Sequence, residues 1–143
     1  MTMRTTLREA GTLDGLGRLL TALRSFLTVS GVTASDQRLV HAAVDELLAN
    51  VILHGGAEAT AGGLLAHVRC TPDEVEVELI DGGAAFDPAT APADAPHALT
   101  LGGVGIRLAR HWIDDLRHER RGSHNHVTLR RRLRIAPTEE TRA

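Results

Sequence analysis

Apolar positions along the chain follow two periods, and the breaks between them divide it into elements. Met3 to Ala10 alternates as a first strand, which Gly11-Thr12 ends. From Leu13 onward, Leu16, Leu19, Leu20, Leu23, Phe26 and Leu27 fall at three- and four-residue steps as far as Gly31. That is the spacing of an amphipathic helix with a wide apolar face. The face serves the core or a dimer or partner surface, and spacing does not choose between them. Thr33 to Asp36 offers N-cap residues for a second helix, which runs to His54 and is stopped by Gly55-Gly56. A loop of small residues follows. Leu64 to Arg69 and Val75 to Ile80 then read as two strands around Thr71-Pro72-Asp73, with Val75, Val77 and Leu79 on one face and Glu74, Glu76 and Glu78 on the other. A sheet with one solvated face is an antiparallel habit. Beyond Asp81 a Pro- and Ala-rich stretch reaches Thr100 without a pattern, a third helix is expected over Ile106 to Trp112, and two strands close the chain, roughly Leu116 to Arg121 and His126 to Arg134. This order predicts an α+β protein: a two-layer sandwich with a mixed, mostly antiparallel sheet and helices on one of its faces. Residues 1–135 are expected to form a single domain, and 136–143 a flexible tail.

The second helix carries a polar interruption. Glu46, Asn50 and His54 are four residues apart, so each advances only about 40° around the helix and the three line a narrow stripe. On the wheel Asn50 lies between Leu39 and Ala43, and His54 between Ala43 and Leu47, which sets the stripe at the edge of the buried face. An amide there without a partner costs roughly 1–3 kcal/mol, so it calls for protein, water, metal or ligand. A satisfied core Asn at the end of an ordinary helix accounts for the same spacing.

Composition narrows the chemistry. The formal charge of −2 provides no general attraction to nucleic acid or an anionic membrane. The N-terminus lacks the apolar core of a signal peptide and no apolar run approaches a membrane span, so a cytoplasmic protein is expected. All 16 basic residues are Arg, which excludes a Schiff-base, Walker A or protein-kinase-type lysine. Two Phe, one Trp and no Tyr leave little for base-stacking platforms. The single Cys70 excludes an internal disulfide and a cysteine zinc cluster, and reads as a small apolar filler.

Two further stretches have chemical potential. The glycines Gly102, Gly103 and Gly105 stand directly before a helix, where free backbone N–H groups and the helix dipole suit an anion, although such glycines also merely permit a tight turn. Their spacing is neither a dinucleotide fingerprint nor a P-loop. Asp81 ends an apolar strand ahead of Gly82-Gly83: its carboxylate suits an exocyclic amine such as adenine's, and equally an Asx turn. The eight histidines, including His124 and His126 on one strand face and His111 and His118 nearby, match no metal-ligand spacing. Arg130, Arg132 and Arg134 read as a solvated strand face beside Leu129 and Leu133.

Taken in order, the set E-L-x-x-N-x-x-x-H-G (Glu46, Leu47, Asn50, His54, Gly55), D-x-G-x-x-F-D-P (Asp81, Gly83, Phe86, Asp87, Pro88) and G-G-x-G-I (Gly102, Gly103, Gly105, Ile106) resembles the Bergerat-fold ATP-binding domain of gyrase and histidine kinases. Within that group it is most similar to the bacterial anti-sigma-factor serine/threonine-protein kinases, and the likeness extends to Asp114 and to a closing G-x-x-N-x-V-x-L pattern from Gly122 to Leu129. The resemblance implies ATP and Mg²⁺ as cofactors, with Asn50 holding the Mg²⁺ and Glu46 as general base. It implies Asp81 on the adenine amine with Gly83 beneath the ring, and contacts from His54 and Phe86. Gly102, Gly103, Val104, Gly105 and Ile106 would wrap the phosphates under a lid over Ala89 to Thr100. Ala85 stands where family members often have Gly. The implied partners are a small anti-anti-sigma protein of the STAS type and a sigma factor, with a homodimer possible and no direct contact with nucleic acid or membrane. The implied activity is transcription control by partner switching. Two other readings of the chain stand beside it: a nucleotide-gated binding module without significant turnover, and a structural domain that binds no nucleotide.

Overall fold

The computed structural model describes residues 1–84 and 113–133. In chain order these form β1 (Met3–Glu9), α1 (Leu13–Val29), α2 (Ala34–His54), α3 (Gly56–Thr60), β2 (Leu64–Cys70), β3 (Glu74–Asp81), β4 (Asp115–Arg121) and β5 (His124–Arg132). The strands make a five-stranded sheet in the order β1-β2-β3-β5-β4, and each of its pairings is antiparallel. Because β5 inserts between β3 and β4, the last strand of the chain lies beside the strand that ends at Asp81.

Period decides which face each element buries. Leu16, Leu19, Leu20, Leu23 and Leu27 of α1 join Val40, Ala43, Val44, Leu47 and Leu48 of α2 in one cluster with Ala66, Val68, Val75, Val77, Leu79, Val127 and Leu129 of the sheet. The apolar face of α1 is therefore spent on this core. Both helices start at the threonines that precede them: Thr12 Oγ1 accepts from Gly15 N–H and Thr33 Oγ1 from Asp36 N–H. The opposite sheet face is polar, as the glutamate alternation predicts. On it Glu76 Oε2 accepts from Arg130 Nε at 2.7 Å and from Arg69 Nη2 at 3.2 Å, a three-strand charge ladder across β2, β3 and β5. His124 and His126 share this face, and His126 Nδ1 stands 3.6 Å from Glu78 Oε2.

One feature departs from the sequence reading. The expected loop after Gly56 contains the short helix α3, whose Ala59 is buried to 2% exposure. Five residues are too few to display a helical period. The arginine run is divided between faces as its alternation expects, with Arg130 on the polar face. Arg131 turns inward and its Nε donates to Asp36 Oδ1 at 2.8 Å, pairing with a carboxylate that is only 3% exposed. Cys70 is the buried filler expected of it, and burial pushes its thiol pKa up. The third helix over Ile106 to Trp112, the stretch to Thr100 and the tail 136–143 lie outside the described residues.

Candidate functional site

The stripe on α2 lies where helical periodicity puts it, beside the buried Ala43 and Leu47. Glu46 and Asn50 are partly buried and His54 is exposed at the last helical position. Asn50 Oδ1 is inaccessible to solvent and has no hydrogen-bond partner among the described residues. An orphan of this kind costs free energy in the isolated fold and asks for an electropositive partner. One turn earlier, burial and then the neighbouring Asp45 carboxylate hold the Glu46 carboxyl above its ordinary pKa. The helix therefore presents a carboxylate of raised proton affinity and an unmet amide oxygen about 6 Å apart along its axis.

The C-terminal end of α2 abuts the turn that follows β3. Gly55 N–H closes the helix on Val51 O, and Gly56 at φ +79° reverses the chain into α3. The turn at Gly82-Gly83 packs against this corner. A Cβ on Gly83 would lie 3.0 Å from Ala59 Cβ and 3.3 Å from Gly55 O, and one on Gly82 would lie 2.9 Å from Glu58 O. Only glycines allow so close an approach. Asp81 consequently stands beside the helix end, with Asn50 about 7–8 Å up the axis from Gly55. Its Oδ1 accepts from Gly83 N–H at 2.9 Å, the Asx turn that the sequence allows. Asp81 Oδ2 has no hydrogen-bond partner among the described residues, so the Asx turn leaves one carboxylate oxygen without a donor.

Three further residues join this site: Arg120, which sequence reasoning does not single out, Asn125, quoted only as part of the closing G-x-x-N pattern, and His118, weighed only as a metal ligand. Asn125, 3% exposed, is the register partner of Asp81 on β5 and sends its Nδ2 to Asp81 Oδ1 at 3.1 Å and to Ala84 O at 2.8 Å. Its Oδ1 meets His118 Nε2 at 2.8 Å and Arg120 Nη1 at 3.2 Å, both from β4. Arg120 Nη1 also donates to Gly83 O at 2.6 Å. One signal was available: Asn125 occupies the inward slot of an alternation that continues with Val127 and Leu129, and a polar residue there must find partners. Phe86 and the Gly102, Gly103, Val104, Gly105 and Ile106 turn lie outside the described residues, as does the segment 89–100. The structure thus brings the Asp81–Gly83 turn to the C-terminal end of the helix along which Glu46, Asn50 and His54 lie.

In chemical terms the site joins an acceptor edge at the sheet end to an amide oxygen in need of a partner and a carboxylate suited to take a proton. The model of the histidine kinase-like ATPase domain matches residues 10–131. The chain belongs to that family. It is 37% identical over 90 residues to the serine/threonine-protein kinase BtrW of Bordetella bronchiseptica, a match that spans 59% of this chain and 63% of that relative. Among solved structures, the RsbU and RsbW domains of a Mycobacterium tuberculosis protein superpose at a TM-score of 0.70 with 20% identity, covering 94% of this chain and 34% of that one. The histidine kinase domain of a blue-light-activated kinase from Erythrobacter litoralis gives 0.51 and 18%, covering 87% of this chain and 61% of that one. At such identities the structural likeness is one of fold. Family and fold agree on a kinase-like ATPase architecture, the α+β sandwich expected from the hydrophobic pattern.

Proposed function

We propose that this protein is an ATP-binding anti-sigma regulatory factor with serine kinase activity, which phosphorylates a small anti-anti-sigma protein of the STAS type and controls a sigma factor by partner switching. The observation that carries the reading is the buried, partnerless Asn50 Oδ1, one turn from a Glu46 of raised proton affinity, on the helix whose end abuts the Asp81 turn. The match to a serine/threonine-protein kinase supports the same reading.

In this assignment Asp81 accepts the exocyclic amine of adenine through Oδ2, with Gly83 beneath the ring. Asn50 holds Mg²⁺, for which a hard amide oxygen without another partner is a fitting donor; the ion supplies neutralisation of phosphate charge when bound. Glu46 takes the proton of the partner's serine hydroxyl as its oxygen attacks the γ-phosphorus and the bond to the ADP leaving group breaks. Phosphoryl transfer relies mainly on positioning and electrostatic stabilisation, so the absence of lysine from the chain is no obstacle. Phe86 and the Gly102 to Ile106 turn complete the nucleotide contacts in this proposal.

Calorimetric titration of Mg-ATP, with Asp81→Asn and Asn50→Ala as controls, tests the site. The expected result is binding that Asp81→Asn weakens and whose Mg²⁺ dependence Asn50→Ala removes. Absence of binding by the folded wild type overturns the reading. Transfer of the γ-phosphate to STAS-type proteins encoded beside this one then tests the kinase. Binding without transfer leaves a nucleotide-gated module in its place.

A further inference from the structure

Arg120 sits on the edge strand β4, outside the family motifs, yet it reaches the turn at the end of β3 and fixes its chemistry. We infer that Arg120, acting through Asn125, is a positioning residue that sets the base specificity of the site. The inference rests on the ATP reading above.

The argument begins with donors and acceptors. A guanidinium only donates. Arg120 Nη1 contacts both Gly83 O at 2.6 Å and Asn125 Oδ1 at 3.2 Å, so the Asn125 amide must present its oxygen to Arg120. Its NH₂ then faces Ala84 O, Asp81 Oδ1 and Gly83 O, at 2.8, 3.1 and 3.4 Å, all of which are acceptors. His118 Nε2, at 2.8 Å from the same Asn125 oxygen, must carry its hydrogen. The arginine on one side and the carbonyls of Ala84 and Gly83 on the other agree on every assignment, and Arg120 is the member that ties Asn125 and the Gly83 carbonyl together.

The consequence falls on Asp81. Its Oδ1 receives two N–H groups, from Gly83 and Asn125, which fixes the plane of the carboxylate. The remaining oxygen meets the incoming base as an acceptor and nothing else. A base with an amino group at position 6 satisfies it, whereas a 6-oxo base sets a carbonyl oxygen against a carboxylate oxygen. Without Arg120 the Gly83 carbonyl loses its donor from β4 and the oxygen of Asn125 keeps only His118, so the turn that carries Asp81 is tied less firmly to the sheet. The Asn125 amide keeps its orientation against the carbonyls of Ala84 and Gly83, but Asp81 is then positioned by a looser turn.

The test compares ATP with ITP, in which an oxo group replaces the amino group at position 6 and N1 carries a hydrogen. Titrations of wild type, Arg120→Met and Arg120→Lys in Mg²⁺ measure the ATP/ITP affinity ratio. Arg120 is an exposed residue, and methionine preserves much of its stem, so melting temperature serves as the folding control. Arg120→Met is expected to weaken ATP roughly tenfold, the loss of a charge-assisted hydrogen bond, while ITP changes little and the ratio falls. ADP and ATP should lose equally, since the residue acts at the base end. Arg120→Lys should regain part of the preference through a single donor. An unchanged ratio in Arg120→Met, with or without equal weakening of both nucleotides, overturns the inference while leaving the ATP reading intact. A wild type that takes up neither nucleotide overturns both.

Discussion

Asn50 shows how a single residue can be costly to the fold and necessary to the proposed activity. Its buried Oδ1 lacks a hydrogen-bond partner among the described residues, and such a group is worth roughly 1–3 kcal/mol against the isolated protein. Asn50→Ala is therefore expected to melt no lower than wild type in the absence of nucleotide, even as it loses Mg²⁺-dependent ATP binding. Paired thermal melts and titrations check this; a large loss of stability would mean that the amide is part of the core. Glu46 makes a related prediction in pH. Burial and Asp45 raise its pKa above the ordinary 4.5, so the folded protein holds this proton more tightly than the unfolded chain does. As pH rises through that pKa, ionising Glu46 costs stability, and Glu46→Gln should be at least as stable as wild type at neutral pH. As a general base, Glu46 works only when deprotonated. The acid limb of the phosphoryl-transfer rate should then lie above pH 4.5, and a pH–rate profile locates it.

At the scale of elements, the polar sheet face is held by pairing across strands. Burial pushes the Glu76 carboxyl up, but its hydrogen bonds to Arg130 and Arg69 outweigh that and hold its pKa below the ordinary value. A depressed folded pKa contributes stability above the unfolded value, and that contribution is lost as pH falls through the folded one. Glu76→Gln should thus cost about 1 kcal/mol at neutral pH, the scale of a partly exposed network, with the two proteins converging as pH falls through the depressed folded pKa. Denaturant melts at neutral and acidic pH check the sign. The same scale explains what was legible in the sequence. The stripe of Glu46, Asn50 and His54 could be read because one helix supplies all three at its own period. Helix α3 was read as a loop because it is shorter than the pattern that identifies helices. The inward face of Arg131 followed from the alternation with Arg130 and Arg132, but its partner did not, because Asp36 is at the far end of α2's sequence.

Across the whole molecule, strand order assembles the site. Inserting β5 beside β3 brings Asn125 opposite Asp81, and pairing β4 with β5 adds His118 and Arg120. The close approach of Gly82 and Gly83 to Gly55, Glu58 and Ala59 sets the Asp81 turn against the C-terminal corner of α2. A ligand bound across that junction stabilises the fold by mass action, about 2.7 kcal/mol at a hundredfold excess over Kd. For a chain of 143 residues this corresponds to a rise in Tm of roughly 5–10 °C. Differential scanning calorimetry with Mg-ATP should record that rise in wild type and a reduced one in Asp81→Asn.

The sequence by itself determined what depends on spacing within one element: two amphipathic helices with their caps, strands with one wet face, the polar stripe on α2, and Asp81 at a strand end before two glycines. Those patterns are local, since a side chain's face follows from its own element's period. Only the tertiary structure decided which strands are neighbours and in what register. It paired Asp81 with Asn125, fastened both to Arg120, and turned Arg131 toward Asp36. Such partners are far apart in the chain, and what selects them is the free energy of closing a single apolar core over one face of the sheet.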